Sequence, residues 1–97
     1  MNIYKLSRRA KADLLEIAWA TELQWSEAQA EKYLGAVAQC FQMLAENPRM
    51  GRQCDSIAQG LRRFEKASHV IFYREVRGGI AVSRILHSKM EPGRQKF

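Results

Sequence analysis

Basic and aromatic residues in the last third of the chain could act on a phosphate group. The candidates are a histidine, three arginines and a tyrosine: His87, Arg84, Arg62, Arg63 and Tyr73. Arginine can steady a phosphate while histidine or tyrosine moves a proton, which is what RNA cleavage requires. The set converges only if the strands that carry it lie side by side. A histidine at a strand end is more often a capping or packing residue, and Tyr73, within the apolar run VIFY, is expected in the core.

Other kinds of catalytic site find little support. Acid-base hydrolysis needs titratable groups that converge, but seven of the ten Asp and Glu residues fall in the part of the chain that reads as helices and loop. No zinc-ligand spacing, P-loop, dinucleotide fingerprint or nucleophile elbow occurs. Cys40 and Cys54 belong to no C-x-x-C motif and are expected to be reduced thiols. The sequence therefore predicts no metal and no cofactor.

The positive charge is concentrated near the C-terminus. Residues 1–60 hold seven Lys or Arg and seven Asp or Glu, whereas residues 61–97 hold nine against three, which accounts for the net charge of +6. This asymmetry predicts a positive face that attracts an acidic protein or a nucleic acid. The alternative is a solvated surface that only aids solubility. Because neither a signal peptide nor an apolar run of roughly 20 residues is present, we expect a cytoplasmic protein with no membrane partner.

Two amphipathic helices must position these groups, after a short strand at residues 2–6. The first helix is predicted over residues 8–24 after an N-cap at Ser7, and its apolar stripe places Trp25 among the buried residues. The second begins after a capping box at Ser26 and continues along a regular apolar stripe. Pro48 ends it, because proline cannot donate a helical hydrogen bond. The short connection between the stripes predicts a helical hairpin.

Three strands are predicted in the second half of the chain. They cover residues 61–66, 69–76 and 80–87, which are rich in β-branched and aromatic residues. Residues 48–60 are predicted to form a loop, and residues 88–97 an irregular, mobile basic tail. The expected fold is one α+β domain spanning all 97 residues, of order β-α-α-β-β-β, with the helical hairpin packed on a mostly antiparallel sheet.

Three stretches together resemble the ParE branch of the RelE/ParE toxins of bacterial toxin-antitoxin systems. They are LSRRAKADLLEIAW at residues 6–19, GRQCDSIAQGLRRFEKASHVIFYRE at residues 51–75, and RILHSKM at residues 84–90. Their spacing matches as well, so the resemblance covers nearly the whole chain. The ILHSKM ending is similar to ParE proteins rather than to RelE proteins.

The resemblance implies a specific activity. ParE-type toxins share the predicted fold, bind a ParD-type antitoxin and poison DNA gyrase so that DNA breaks accumulate. RelE-type relatives instead cleave messenger RNA on the ribosome, and the basic cluster keeps that alternative open. A non-toxic binding module is the second alternative. Direct binding to nucleic acid is not expected without a protein partner.

Two binding surfaces are predicted on this basis. The gyrase-binding residues would lie at the end of the last strand and in the tail: Arg84, His87, Lys89, Met90, Arg94 and Lys96. The antitoxin would cover an apolar groove between the helical hairpin and the sheet, because contiguous exposed apolar surface marks an interface. The expected antitoxin-binding residues are apolar positions away from the main stripe, with one tryptophan at an edge: Leu15, Trp19, Ala36, Cys40 and Met43.

Overall fold

The polar caps and apolar stripes of the first half of the chain produce two helices, and the β-rich second half produces most of a sheet. The computed structural model describes residues 2–97. In chain order its elements are β1 Ile3–Leu6, α1 Arg8–Gln24, α2 Glu27–Glu46, β2 Arg52–Gln53, β3 Leu61–Lys66, β4 His69–Val76, β5 Gly79–His87 and a 3-10 turn at Pro92–Arg94. This order confirms the predicted α+β fold with one additional short strand.

Both helices begin at serine caps, as predicted. The Ser7 hydroxyl accepts a hydrogen bond from the Ala10 amide, and the Ser26 hydroxyl accepts one from the Gln29 amide, each at 3.0 Å. Each bond satisfies one of the amides that a helix start leaves without a partner. The second helix ends at Glu46, directly before Asn47 and Pro48.

The five strands form one mixed sheet in the order β1-β5-β4-β3-β2. Strand β1 runs parallel to β5, and all the other neighbours are antiparallel. Residues 48–60 were predicted as a loop, but Arg52 and Gln53 within this segment pair with the outer edge of β3 and form the additional strand β2. The Tyr73 hydroxyl fixes this segment: it donates to the Pro48 carbonyl at 2.8 Å and accepts from the Gly51 amide at 2.7 Å.

An apolar core lies on each face of the sheet. The helices cover one face, where residues from α1 and α2 pack on Ile71, Tyr73 and Ile85. The opposite face carries a smaller cluster that includes Val70, Phe72 and Leu86. Successive residues of β4 point to opposite faces, so its run of four buried residues supplies both cores. The predicted core position of Tyr73 is confirmed.

The end of β5 has no strand on its outer side, and α1 takes that place. Strand β1 pairs with β5 only as far as Val82. Beyond it, the Ile85 amide donates to Asp13 Oδ2 at 2.9 Å. The Arg84 guanidinium donates to both oxygens of the same carboxylate, with Nε and Nη2 each at 2.8 Å. We call this arrangement of Asp13, Arg84 and the Ile85 amide the Asp13 clamp.

The C-terminal tail is held against the face of the sheet opposite the helices, which we call the open face. Arg84 Nη1 donates to the Lys96 carbonyl at 2.6 Å. The Phe97 ring lies edge-on to Phe72, with ring centroids 5.2 Å apart. The prediction of a mobile tail is therefore corrected at its end, where a lone aromatic residue reaches the second core. The sequence pattern missed this contact because it is not periodic.

Within residues 2–97, no helix is both long enough and apolar enough to cross a membrane.

We predict that Asp13→Ala destabilises the protein by about 3 to 5 kcal/mol, because removing one member of a buried ion pair leaves the other charge uncompensated. Both side chains are largely withdrawn from water, with 10% of Asp13 and 13% of Arg84 exposed. Urea denaturation of purified protein measures the loss. Glu16→Ala, an exposed acid one turn later, is the control and should cost little. A loss below about 1 kcal/mol for Asp13→Ala would contradict the role of the clamp.

Candidate functional site

Of the five side chains considered for the alternative ribonuclease site, Tyr73 lies in the core, and the histidine and three arginines do not form one cluster. The strands that carry them are adjacent, but each side chain is engaged elsewhere. Arg62 donates to the Gly51 carbonyl at 2.7 Å and so holds the loop after α2. Arg63 lies over the Phe72 ring, with its guanidinium carbon 5.4 Å from the ring centroid. Arg84 belongs to the Asp13 clamp, and His87 accepts a hydrogen bond from the Lys89 amide at 3.2 Å.

Arg84 was also predicted to bind gyrase, and the clamp corrects this expectation. Its guanidinium contacts the Asp13 carboxylate and the Lys96 carbonyl, and little of it remains exposed. Hydrogen bonding to Asp13 raises the pKa of Arg84, although burial acts in the opposite direction. Arg84 is therefore a residue that positions β5 and the tail. The sequence placed it in a binding set because its partner lies 71 positions earlier.

A cluster that the sequence analysis missed lies where β4 begins and β5 ends. His69 and His87 are cross-strand partners, and their rings meet edge-on with centroids 5.4 Å apart. The adjacent Ser88 amide donates to the Ser68 carbonyl, so the histidines form a non-hydrogen-bonded pair, whose side chains lie close together. The Tyr33 hydroxyl of α2 lies 2.7 Å from His69 Nδ1.

One arrangement of protons satisfies both the His69 ring and the Lys66 carbonyl beside the Tyr33 hydroxyl. Its hydroxyl also lies 3.3 Å from the Lys66 carbonyl, which can only accept a hydrogen bond. The single proton of Tyr33 can go to that carbonyl if His69 Nδ1 donates to the Tyr33 oxygen. Burial, followed by the charge of His87, lowers the pKa of His69. Burial also raises the pKa of Tyr33. Both groups are therefore neutral near pH 7.

Two shallow depressions flank the histidine pair. One, of about 220 Å³, lies between the end of α1 and the start of α2 and is lined in part by Trp25, Tyr33 and Ser68. The other, of about 210 Å³, lies between α1 and the tail and is lined in part by Glu16, Arg84 and Met90. In the described part of the chain, His, Cys, Asp and Glu form no group of three or more that could hold a metal ion.

The remaining residues of the predicted gyrase-binding set follow β5 along the surface. His87 and Met90 both line the second depression, and Met90 is 40% exposed. Lys89 lies between them and is exposed. Arg94 forms an exposed ion pair with Glu91 at 3.1 Å. The exposed Lys96 has its backbone held by Arg84, so this end of the tail has a defined position.

An apolar groove of about 430 Å³ lies between the two helices and β1, as predicted. Its lining is almost entirely apolar and comes from both helices and the first strand: Tyr4, Leu6, Lys11, Leu14, Leu15, Ala18, Leu34, Ala38 and Phe41. Leu15 extends the groove onto the outer face of α1, where Trp19 and Leu23 follow at intervals of four residues. These three exposed side chains form a stripe that we call the α1 stripe.

Several expectations about apolar residues are corrected. Cys40 is only 9% exposed and belongs to the core, and Met43 packs against that core. Cys40 is therefore not available to an antitoxin, contrary to the prediction, whereas Met43 and Ala36 are both half-buried. Trp25, expected in the core, is 70% exposed. It follows the last residue of α1, where its backbone is no longer helical, so the helical stripe does not extend to it.

Leu23, which is 88% exposed, was missing from the predicted antitoxin-binding set. Its spacing from Trp19 and Leu15 was the available signal. The two cysteines lie in different cores on opposite faces of the sheet, and both are free.

Known proteins resemble this chain over nearly its whole length. Residues 4–92 match the family profile described as "ParE toxin of type II toxin-antitoxin system, parDE". Toxin ParE1 of Caulobacter vibrioides is 41% identical over 90 residues, which are 93% of this chain and 93% of that protein. Toxin ParE1 of Mycobacterium tuberculosis is 42% identical over 92 residues, which are 94% of each.

A solved structure described as "Chromosomal ParDE TA system from P. aeruginosa" has a similar fold. Its TM-score is 0.76 at 22% sequence identity, and the match covers 92% of this chain and 98% of that chain. This likeness confirms the fold expected from the resemblance.

We predict that His69 makes stability depend on pH. Its pKa in the folded protein lies below the ordinary value of 6.5, so the unfolded chain binds a proton that the folded chain excludes. This contribution to stability is complete above that value and is lost as the pH falls through it toward the folded pKa. The free energy of unfolding should therefore fall more between about pH 7.5 and pH 5.5 for the wild type than for His69→Gln.

Urea denaturation at the two pH values measures this difference. The variant also alters the contact with Tyr33, which changes stability at both pH values, so only the change with pH tests the prediction. Equal losses in the two proteins would contradict it.

Proposed function

The chain belongs to the ParE family of toxins of type II toxin-antitoxin systems, and on this premise we propose that it binds DNA gyrase in the cytoplasm, stabilises DNA breaks and is neutralised by a ParD-type antitoxin. The observation that favours binding over catalysis is that no arginine of the predicted ribonuclease set is available beside His87. Arg84 lines the same depression as His87 but is bound by Asp13, while Arg62 and Arg63 lie on β3 and are held by other partners, so none of them is placed to steady a phosphate while His87 moves a proton. The toxin acts by occupying a site on gyrase.

The antitoxin site is the apolar groove together with the α1 stripe. Such a surface suits an amphipathic segment whose apolar residues recur at helical spacing. Leu15 lies in both parts, and Trp19 is 73% exposed beside it. Burying a large apolar side chain contributes about 1.5 to 3 kcal/mol, so a few such contacts give substantial affinity. Antitoxin binding also stabilises the toxin by mass action.

The gyrase site is the surface formed by the end of β5 and the tail: His87, Lys89, Met90, Arg94 and Lys96. It lies on the opposite side of α1 from the groove, since Glu16 and Ala20 line the depression beside Met90 whereas Leu14 and Leu15 line the groove. The cations attract acidic partners and Met90 supplies an apolar anchor. Separate surfaces allow the two binding activities to be removed one at a time.

We predict that Leu15→Glu weakens antitoxin binding by at least tenfold, because it places a charge in an apolar contact. Leu15 is 73% exposed, so the free variant should fold normally. Calorimetry with a cognate ParD-type antitoxin measures affinity, and the rise in melting temperature on binding gives a second measurement. Lys89→Glu is the control and should keep full antitoxin binding. Unchanged affinity for Leu15→Glu would place the antitoxin elsewhere.

For gyrase, we predict that the purified toxin stabilises DNA breaks in a cleavage assay and that Lys89→Glu with Met90→Ala reduces this effect at least tenfold. Leu15→Glu should remain as potent as the wild type. His87→Gln should change potency only modestly, because the histidine transfers no proton in a binding mechanism. Circular dichroism confirms that each variant is folded.

A ribosome-dependent RNA cleavage assay run in parallel separates the alternatives. RNA cutting that falls about 10²-fold in His87→Gln, with gyrase unaffected, would replace the proposal by the ribonuclease activity. A wild-type chain that affects neither gyrase nor RNA while it still binds antitoxin would be a non-toxic binding module.

A further inference from the structure

A row of residues crosses the open face of the sheet and carries three arginines. Arg52 of β2 pairs with Arg63 of β3, Arg63 pairs with Phe72 of β4, and Phe72 pairs with Arg84 of β5. Directly paired residues point to the same face of a sheet. Phe72 belongs to the core on the face opposite the helices, so the row lies on that face. The Asp13 clamp occupies Arg84, which leaves Arg52 and Arg63 to face solvent together.

The charges of Arg52 and Arg63 are only partly compensated. Like charges directly opposite each other destabilise a sheet. One carboxylate, Glu65, serves both: its Oε1 pairs with Arg52 and lies 3.5 Å from Arg63 Nε. That Nε atom is buried and has no hydrogen-bond partner within residues 2–97. Two guanidinium groups therefore share one carboxylate, and the local charge is positive.

Arg63 is nevertheless held in a defined position. Its guanidinium lies over one side of the Phe72 ring, and Phe97 contacts the same ring edge-on. Its side chain is 29% exposed, so it reaches solvent without being free to move widely. Arg52 is more exposed, at 69%. A largely covered guanidinium beside a more exposed one gives two cations along the row, which suits an extended anion.

We propose that Arg52 and Arg63 bind backbone phosphates of the duplex DNA that gyrase holds, while the tail contacts gyrase itself. Guanidinium groups bind phosphate with strong, charge-assisted hydrogen bonds. This inference rests on the proposed function and extends it: the toxin contacts both components of the gyrase-DNA complex. Contacts with the DNA as well as the enzyme favour the state in which both are present.

A duplex fits this face better than a single strand. Proteins that bind single-stranded nucleic acid stack its bases on exposed aromatic side chains. Here Phe72 is buried, and Phe97 is half-buried against it, so neither ring is free to stack on a base. The row offers charge without stacking, which is sufficient for the phosphate backbone of a duplex.

The test compares two double variants that each remove two positive charges. Arg52→Gln with Arg63→Gln alters the row, whereas Arg9→Gln with Arg77→Gln removes exposed cations outside it. Fluorescence anisotropy of labelled toxin binding to the complex of gyrase with a DNA duplex, measured at several salt concentrations, gives the slope of log affinity against log salt. The row variant should lower the magnitude of that slope by about 1.8, since each phosphate contact contributes about 0.9. The control should leave it nearly unchanged.

Two further measurements separate DNA from an acidic protein surface. In the gyrase cleavage assay, the row variant should require roughly tenfold more toxin than the control, which is the loss expected when about 1.4 kcal/mol of binding is removed. Its binding to gyrase without DNA should equal that of the wild type. Weaker binding to gyrase alone would assign the row to the enzyme, and an unchanged salt slope would exclude a DNA contact; either result overturns the inference.

The conservative variant Arg63→Lys is a control for unfolding of the double variant. It keeps the charge and should retain the salt slope, whereas loss of the slope in a folded Arg63→Lys protein would also contradict the inference. If the wild type stabilises gyrase-DNA breaks and the row variant matches it, the inference fails while the proposed function stands. If the wild type has no effect on gyrase, the proposed function fails independently of the salt slope.

Discussion

The Asp13 carboxylate is the group on which the arrangement of the second half of the molecule depends. It accepts hydrogen bonds from the Ile85 amide and from two nitrogens of Arg84. A parallel strand would normally satisfy the outer edge of β5, but β1 is too short to reach it. One side chain of α1 therefore replaces a strand, and it does so at a depth where unsatisfied polar groups are costly. The same carboxylate holds the helical layer against the sheet.

The clamp also determines where the tail lies. Arg84 uses its third nitrogen to hold the Lys96 carbonyl, and this places Phe97 on Phe72. The proposed gyrase surface is thus connected to α1: Asp13 binds Arg84, Arg84 binds the Lys96 carbonyl, and Phe97 packs on Phe72. A tail ordered in this way loses less conformational entropy on binding than a free one, which favours affinity. Lys89 and Met90 benefit most, because they lie between the end of β5 and this anchor.

The sequence predicted the elements well and individual contacts less well. Caps, proline and periodicity are local signals, so Ser7, Ser26 and Pro48 marked the helix boundaries correctly. The Asp13 clamp joins residues 71 and 72 positions apart, and no local pattern predicts such a pair. An aspartate in a helix and an arginine in a strand each suggest an exposed residue when considered alone.

The errors over apolar residues have a related cause. Cys40 and Met43 were assigned to the surface because they lie off the main stripe, but α2 packs against α1, β1 and β5 and so buries more than one face. Trp25 was assigned to the core because the stripe was extended one residue beyond the end of α1. Leu15 and Trp19 are exposed as expected, since only one face of α1 contacts the rest of the protein.

Leu15, Trp19 and Leu23 run along the outer face of α1, between the groove and the surface beside the tail. An antitoxin segment bound along this stripe from the groove would approach the histidine pair, and could then block gyrase by its bulk without contacting the tail residues.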